Sequence, residues 1–293
     1  GLDVGAAAHE RVDGTGVAPV ADSVIVIRDG RIQAAGPRDT TAIPAGAELV
    51  DAAGKTVIPG LVDLHAHYGG ELAASERALK MQLYYGVTTT RSIGSDDPEK
   101  VALMLEANAG RPDLPRAFTA GRGFSYPDGF NARIANTPTS EEEARQMVRE
   151  QAALGIHFSK MWVNAVPEPG LKIPPEIRAA IVDESIKNGL IPVAHIDEEA
   201  DAVQLLEAGL NEFLHSTVLT FGPGAGVPMD DPEPSQATLD LCLAHDCAFT
   251  PTLSITQNNW HFAEHPELLD DPDLRAVMNP AALERFSNPE TRA

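Results

Sequence analysis

The sequence predicts an α/β fold in which a TIM (β/α)8-type barrel, incomplete at about seven strands, follows a partial β-sandwich domain. Two patterns lead to this prediction. Residues 57–293 alternate short apolar runs with helix-like segments, whereas residues 1–56 contain only short β-like runs and turns. Repeated strand–helix units form parallel sheets, and eight of them close a barrel of about 250 residues.

Residues 1–56 are predicted to form part of a composite β-sandwich domain. Residues 23–35 alternate around valine and isoleucine on both sides of the turn signal Asp29-Gly30, which predicts a hairpin. Residues 47–51 predict a further strand. Because so few short strands cannot close a core, we expect the other strands of the sandwich to lie elsewhere or to be absent.

The barrel domain, residues 57–293, contains seven predicted strands, each followed by a helical segment. The strands are predicted at 57–67, 87–93, 116–120, 157–163, 191–196, 212–216 and 248–253. The helices are predicted at 71–85, 98–109, 140–155, 175–188, 198–208, 235–245 and, interrupted by Pro280, 272–287. An open doubly wound sheet would require a glycine-rich phosphate turn, and Gly121-Arg-Gly123 is too short a match.

Composition limits the partners. The formal net charge of −21 and the pI near 4.7 argue against nucleic acid and anionic membranes, and we expect a small-molecule substrate. A homo-oligomer is left open. No apolar run approaches the length of a membrane span, and two cysteines are too few for a disulfide framework. We expect a cytoplasmic protein, although a chain that starts at Gly1 leaves a removed signal peptide open.

The most informative stretch is residues 57–67, Val-Ile-Pro-Gly-Leu-Val-Asp-Leu-His-Ala-His. On a strand, Asp63, His65 and His67 point to one face. Two imidazoles and a carboxylate on one face of an apolar strand are costly unless something satisfies them, and a metal ion would do so. Because two ligands do not define a site, a surface pair or two hydrogen-bonded core histidines is an equal alternative for this stretch alone.

Three more polar residues fall near the C-terminal ends of predicted strands: Lys160 on the fourth, His195 on the fifth and His215 on the sixth. A barrel brings those ends together. Each residue alone has a structural explanation. The occurrence of such residues near the ends of four strands favours a functional site, because lysine is rarely buried unless it has a function. The other histidines are interpreted as ordinary: His9, His157, His245, His261 and His265.

Five segments carry a family resemblance, and four of them contain the candidate metal ligands. The segments are Pro-Gly-Leu-Val-Asp-Leu-His-Ala-His (59–67), Gly-Val-Thr-Thr-Thr-Arg (86–91), Lys-Met-Trp-Val (160–163), Val-Ala-His (193–195) and Phe-Leu-His-Ser (213–216). The chain resembles the amidohydrolase superfamily and, within it, the imidazolonepropionase-like and prolidase-like branch. The resemblance implies a metal-dependent hydrolase that attacks carbon–nitrogen bonds with a metal-activated hydroxide. The bonds would be amides or cyclic amides other than peptide bonds, or those of Xaa-Pro dipeptides.

The resemblance also implies one or two divalent ions per chain, expected to be zinc, in a binuclear metal centre. His65 and His67 would bind one ion, and His195 and His215 the other. Lys160 would act catalytically as a carbamate bridge, formed when carbon dioxide adds to its neutral amine; burial and nearby cations favour that neutral form. Asp63 is expected to support the ligands or the barrel floor rather than to bind metal.

The family pattern is incomplete in this chain. Family members carry a metal-binding, proton-shuttling aspartate at the end of strand eight, and here a single helical region separates strand seven from Ala293. The sequence is therefore interpreted as a fragment truncated at both ends, whose activity without strand eight is an open question. The alternative function is a non-catalytic metal-binding fragment or scaffold.

The substrate pocket has few candidates. Tyr68, Arg91 and Phe124 lie near strand ends, where they are predicted either to line the pocket or to be structural. The glycine- and proline-rich segment 221–234 is a candidate loop over that pocket.

Overall fold

A computed structural model describes residues 4–164, 171–215, 234–252, 262, 264–272, 275 and 280–288. The chain divides into two compact units, Gly1–Leu61 and Val62–Ala293. The candidate pocket loop at 221–234 lies outside the described residues except for Pro234, and so does most of 272–279.

The first unit contains one four-stranded sheet. Its strands are β1 (Val4–Arg11), β2 (Val20–Arg28), β3 (Arg31–Pro37) and β4 (Glu48–Val57), in the order β3-β2-β1-β4. Strand β1 runs antiparallel to β2 and parallel to β4. The predicted hairpin is present as β2 and β3, and both turn residues, Asp29 and Gly30, have positive φ angles of 52° and 72°, as a tight hairpin turn requires. The second sheet of a sandwich stays a prediction.

Two features of this unit differ from the prediction. Strand β1 was not predicted, because its Gly-Ala-Ala-Ala stretch lacks the β-branched residues that mark strands, and its pairing with β2 and β4 supplies the stability instead. The predicted strand 57–67 is also wrong at its start. Val57 ends β4, and the next strand begins only at Leu61, after Pro59, which lacks the N–H that a ladder requires.

In the second unit, strands and helices alternate as predicted. The described part of the chain contains seven strands here, all near their predicted positions, so the barrel in this part is incomplete. They form the sheets β5-β6-β7 and β8-β9-β10-β11, and each adjacent pair from β6 to β7 and from β8 to β11 is parallel. The backbone N–H of His157 donates to the Thr119 carbonyl at 2.9 Å and links the two sheets. The strands are β5 (Leu61–Ala66), β6 (Val87–Ser92), β7 (Arg116–Thr119), β8 (Phe158–Val163), β9 (Ile191–Ile196), β10 (Glu212–Leu214) and β11 (Ala248–Thr250).

Side chains cap the first turn of some of the helices. Asp97 accepts a hydrogen bond from the Lys100 N–H, and Ser140 accepts one from the Glu143 N–H at 3.2 Å. The Glu143 carboxylate accepts a hydrogen bond from the Thr139 N–H at 2.8 Å, one residue before the capping Ser140. The helices are α1 (Leu72–Tyr84), α2 (Pro98–Asn108), α3 (Glu141–Ala153), α4 (Pro175–Lys187), α5 (Glu199–Glu207), α6 (Gln236–Ala244) and α7 (Pro280–Ser287), with a 3-10 helix at Pro266–Asp270.

The largest apolar core lies where β8, β9 and β10 pack against α3, α4 and α5. Met161, Ile181, Ala194, Leu205 and Phe213 are fully buried in it. This core stabilises the strands that present Lys160, His195 and His215 at their C-terminal ends. Among the described helices, none combines the length and the apolar character that crossing a bilayer would require.

Candidate metal centre

The structure brings the predicted site residues together at the C-terminal ends of the strands. His65 lies in β5, His67 directly after it, Lys160 in β8, His195 in β9 and His215 directly after β10. The rings are close across the barrel mouth. Ring centroids are 5.0 Å apart for His65 and His67, 4.5 Å for His65 and His215, and 4.4 Å for His195 and His215. The contact between His65 and His215 shows that β5 and β10, which belong to different sheets, curve towards each other.

Lys160 is fully buried, and its amine has no hydrogen-bond partner within the described residues. Its Nζ lies 5.5 Å from the centroid of the Trp162 ring. Burial lowers the pKa of Lys160 well below its ordinary value, and the Arg91 cation acts in the same direction. The burial thus favours an uncharged amine, which is a donor and nucleophile rather than a cation.

Glycine at position 94 makes room for Lys160. Gly94 has a φ of +95°, and a Cβ there would lie 2.9 Å from both Lys160 Cγ and Trp162 Cη2. No larger residue fits this backbone without moving one of those side chains.

The four histidines are held neutral. Burial lowers the pKa of His65 to about 2 and that of His67 to about 4. Burial followed by the charge of His195 lowers the pKa of His215 to about 3, and burial lowers that of His195. His67 is nevertheless exposed at the mouth of the barrel. Neutral imidazole is the form that binds a metal ion.

Side chains that the sequence analysis did not single out contact these rings. The Thr252 hydroxyl lies 2.7 Å from His215 Nδ1, and the Ser95 hydroxyl lies 3.4 Å from His67 Nδ1. The Asp197 carboxylate lies 3.2 Å from His195 Nε2. Only Asp197 had a signal in the sequence, because His195-Ile-Asp197 repeats the alternation of His65-Ala-His67 at a strand end.

Phe130 is a further neighbour without a sequence signal. It lies in the loop after β7, and its ring centroid is 6.1 Å from that of His195. It therefore adds an apolar surface beside the cluster.

Asp63 supports the ligand strand. One of its oxygens accepts from the His65 N–H at 3.0 Å, and the other accepts from Gln82 Nε2 at 2.9 Å. The Tyr68 hydroxyl in turn contacts the Gln82 side chain at 2.6 Å and the Thr90 hydroxyl at 2.7 Å. Both oxygens of Asp63 thus have protein donors, and Tyr68 is buried behind the strand.

Arg91 is also buried among protein partners. Its guanidinium pairs with Glu212 and donates to the Leu64 carbonyl at 2.8 Å and to the Thr250 hydroxyl at 3.2 Å. These contacts support structural roles for Arg91 and Tyr68, and the substrate-binding alternative for both residues stays a prediction. Phe124 is likewise buried, and it lies beside the middle of β8, where its N–H donates to the Lys160 carbonyl.

The donor set fits a divalent ion. His65 Nε2 and His67 Nε2 lie 3.1 Å apart, and two donors bound to one zinc ion at about 2.0–2.2 Å are roughly 3–3.5 Å apart. The buried amine of Lys160 and Nδ1 of His65 have no partners within the described ranges. Within those ranges, no group of three or more His, Cys, Asp or Glu side chains is already arranged to hold a metal ion. Metal binding would therefore require further donor side chains to turn towards the ion.

Comparisons with known proteins agree with these motifs. No protein-family model matches the chain. It is similar to an enamidase from Eubacterium barkeri, with 39% identity over 170 residues that cover 56% of this chain and 42% of that protein. It is similar to an imidazolonepropionase from Salinispora tropica, with 28% identity over 238 residues that cover 75% of this chain and 57% of that protein. The chain thus spans about half the length of these curated relatives.

A solved structure shows the same fold. The chain superposes on a Xaa-Pro dipeptidase that has methionine bound in its active site, with a TM-score of 0.72 and 17% identity, over 89% of this chain and 70% of that one. Taken together with the five sequence segments, these similarities relate the chain to the amidohydrolase superfamily.

Proposed function

We propose that this chain forms most of the catalytic barrel of a metal-dependent hydrolase that acts on carbon–nitrogen bonds of amides or cyclic amides. One observation carries the proposal: four imidazoles and a buried lysine amine that has no hydrogen-bond partner among the described residues lie together near the C-terminal ends of the strands. This is the face on which barrel enzymes place their active sites. The similarity to an enamidase and an imidazolonepropionase supports the bond type.

Each residue has a defined part in the proposed site. His65 and His67 would hold one ion, and His195 and His215 a second. When bound, a divalent ion such as zinc lowers the pKa of a coordinated water and polarises a substrate carbonyl oxygen. Thr252 and Ser95 would keep the rings of His215 and His67 in place through the contacts at their Nδ1 atoms.

Lys160 would supply the negative charge that four neutral imidazoles lack. Its neutral amine can form an N–C bond to carbon dioxide and release one proton to solvent, which leaves a carboxylate on the side chain. Nζ has no hydrogen-bond partner among the described residues, so no protein group there competes for the amine. The resulting anion would lie between the two pairs of histidines.

Elemental analysis and hydrolysis assays test the proposal. We expect the purified chain, reconstituted with zinc or manganese, to retain up to two ions and to lose most of them in His65→Ala and His195→Ala. His9→Ala is the matched control, because His9 is exposed on β1 in the first unit. Hydrolysis by the same proteins would be measured on panels of amides, cyclic amides and dipeptides. A wild-type chain that retains no metal would overturn the proposal, whereas bound metal without turnover would support the scaffold alternative.

A further inference from the structure

The second pair of strand-end donors includes a carboxylate. His195 and Asp197 flank Ile196, the last residue of β9, so both side chains leave the strand on the same side. Asp197 Oδ1 lies 3.2 Å from His195 Nε2. The Asp197 side chain is only 9% exposed, so its charge is largely removed from water.

This geometry repeats that of the first pair. In His65-Ala-His67 the two Nε2 atoms lie 3.1 Å apart, and in His195-Ile-Asp197 the Nε2 and Oδ1 atoms lie 3.2 Å apart. Both separations match two donors that share one ion, which are roughly 3–3.5 Å apart. Each strand therefore ends in two donors at alternate positions with the spacing of a chelating pair.

Asp197 is held in place from the neighbouring strand. Asn164, which follows β8, donates from Nδ2 to both Asp197 oxygens at 3.2 Å each, and its side chain is buried. Because Lys160 is four residues earlier on the same segment, this contact ties Asp197 to the strand that carries the buried amine. A carboxylate fixed in this way is oriented before any ligand binds.

The charge balance also favours a role for this carboxylate. A dication taken out of water among neutral imidazoles needs negative ligands close by. Asp63 accepts hydrogen bonds from the His65 N–H of its own strand and from Gln82 of α1. Asp197 Oδ1 instead lies 3.2 Å from His195 Nε2, a ring nitrogen of the histidine cluster.

We propose that Asp197 is a metal ligand that shares an ion with His195. The inference rests on the metal-dependent function proposed above and adds a carboxylate to its donor set. The competing role is purely positional: Asp197 would accept a hydrogen bond from His195 Nε2–H, which would turn that nitrogen away from the metal.

Cobalt binding separates the two roles. The probe is Co²⁺ alone, followed by calorimetry and visible absorption, which reports the number and kind of ligands. We expect Asp197→Asn to weaken one Co²⁺ site by about 10–100-fold and to change its absorption spectrum. Glu198→Gln is the matched control: it removes the same charge one residue away, from a side chain that is 55% exposed and paired with Lys172. It should leave affinity and spectrum unchanged.

A replacement ligand keeps the test decisive. Asp197→His supplies a new donor atom, and we expect it to restore Co²⁺ affinity to within about tenfold of the wild type. If Asp197→Asn leaves affinity and spectrum unchanged, the ligand role is wrong while the proposed function stands. If Asp197→His, folded by circular dichroism, binds no better than Asp197→Asn, the ligand role is equally overturned. A wild-type chain that binds no Co²⁺ at all would remove the proposed function itself.

Discussion

Arg91 and Glu212 form a buried ion pair that joins β6 to β10 across the interior of the second unit. The two side chains are 6% and 14% exposed. The same guanidinium also reaches the Leu64 carbonyl of β5 and the Thr250 hydroxyl of β11. One arginine thus connects strands of both sheets, which explains why it is buried.

We predict that removing one member of this pair is more costly than removing both. Arg91→Met should lower the free energy of unfolding by about 3–5 kcal/mol, because it leaves the Glu212 carboxylate buried without its cation. Arg91→Met combined with Glu212→Leu should cost less than Arg91→Met alone. Urea denaturation of both variants measures the difference. Arg116→Met, on the exposed face of β7, is the control and should change stability by less than about 0.5 kcal/mol.

Gly94 provides a second prediction. Gly94→Ala should destabilise the protein by more than Gly86→Ala, although both residues have similar φ angles of +95° and +87°. At Gly86 a new Cβ would meet open space, so only the conformational cost of about 1–2 kcal/mol applies. At Gly94 the Cβ would also displace Lys160 or Trp162, which typically adds about 1–3 kcal/mol. Equal effects of the two substitutions in denaturation experiments would show that this contact is unimportant.

The neutral histidines predict a pH dependence of stability. The folded protein lowers the pKa of His65 to about 2 and that of His215 to about 3, whereas the unfolded chain protonates both below about pH 6.5. The unfolded state therefore binds more protons between these values, and the free energy of unfolding should fall as the pH drops from about 6.5 to about 3. The slope should reach at most about 1.4 kcal/mol per pH unit for each residue. His67 should add less, since solvent screens its exposed ring.

Denaturation of the metal-free protein, with chelator present, checks this dependence between about pH 7 and about pH 5.5, above the range where most carboxylates titrate. His215→Gln should reduce the slope in that range. A wild-type stability that stays constant across that range would contradict the proposed neutral state.

Lys160 yields the fourth prediction. Lys160→Ala should lose the second metal ion, because the bridging anion disappears, and a short carboxylic acid such as propionate should partly restore binding by occupying the vacated space. Elemental analysis in bicarbonate-free buffer measures both effects. Lys187→Ala, a surface lysine paired with Asp183, is the control and should keep full metal content. If Lys160→Ala also keeps its full metal content and activity, the carbamate assignment is wrong.

The alternation of strands and helices was predictable because it depends on local patterns. Apolar runs, the capping Ser140 and the glycines after helices are all read within a few residues. The same local pattern indicated that His65, His67, Lys160, His195 and His215 end neighbouring strands. Their meeting then follows from the rule that parallel strands in a barrel share one C-terminal face.

Other features depended on contacts that no local pattern encodes. Strand β1 exists because β2 and β4 pair with its small residues, and this pairing ends at Val57, before β5 starts at Leu61. Arg91 and Glu212 are 121 positions apart in sequence, so only the closure of the sheets brings them together as a pair.

The sequence by itself therefore determined which residues could reach the site, since side-chain alternation and strand order are properties of the chain. Only the tertiary structure decided what surrounds them. It placed the Lys160 amine where burial keeps it neutral, turned Asp63 behind its strand, and set Asp197 against His195 with Asn164 behind it. These outcomes depend on burial and on distances between separate strands, and those quantities arise only when the strands pack together.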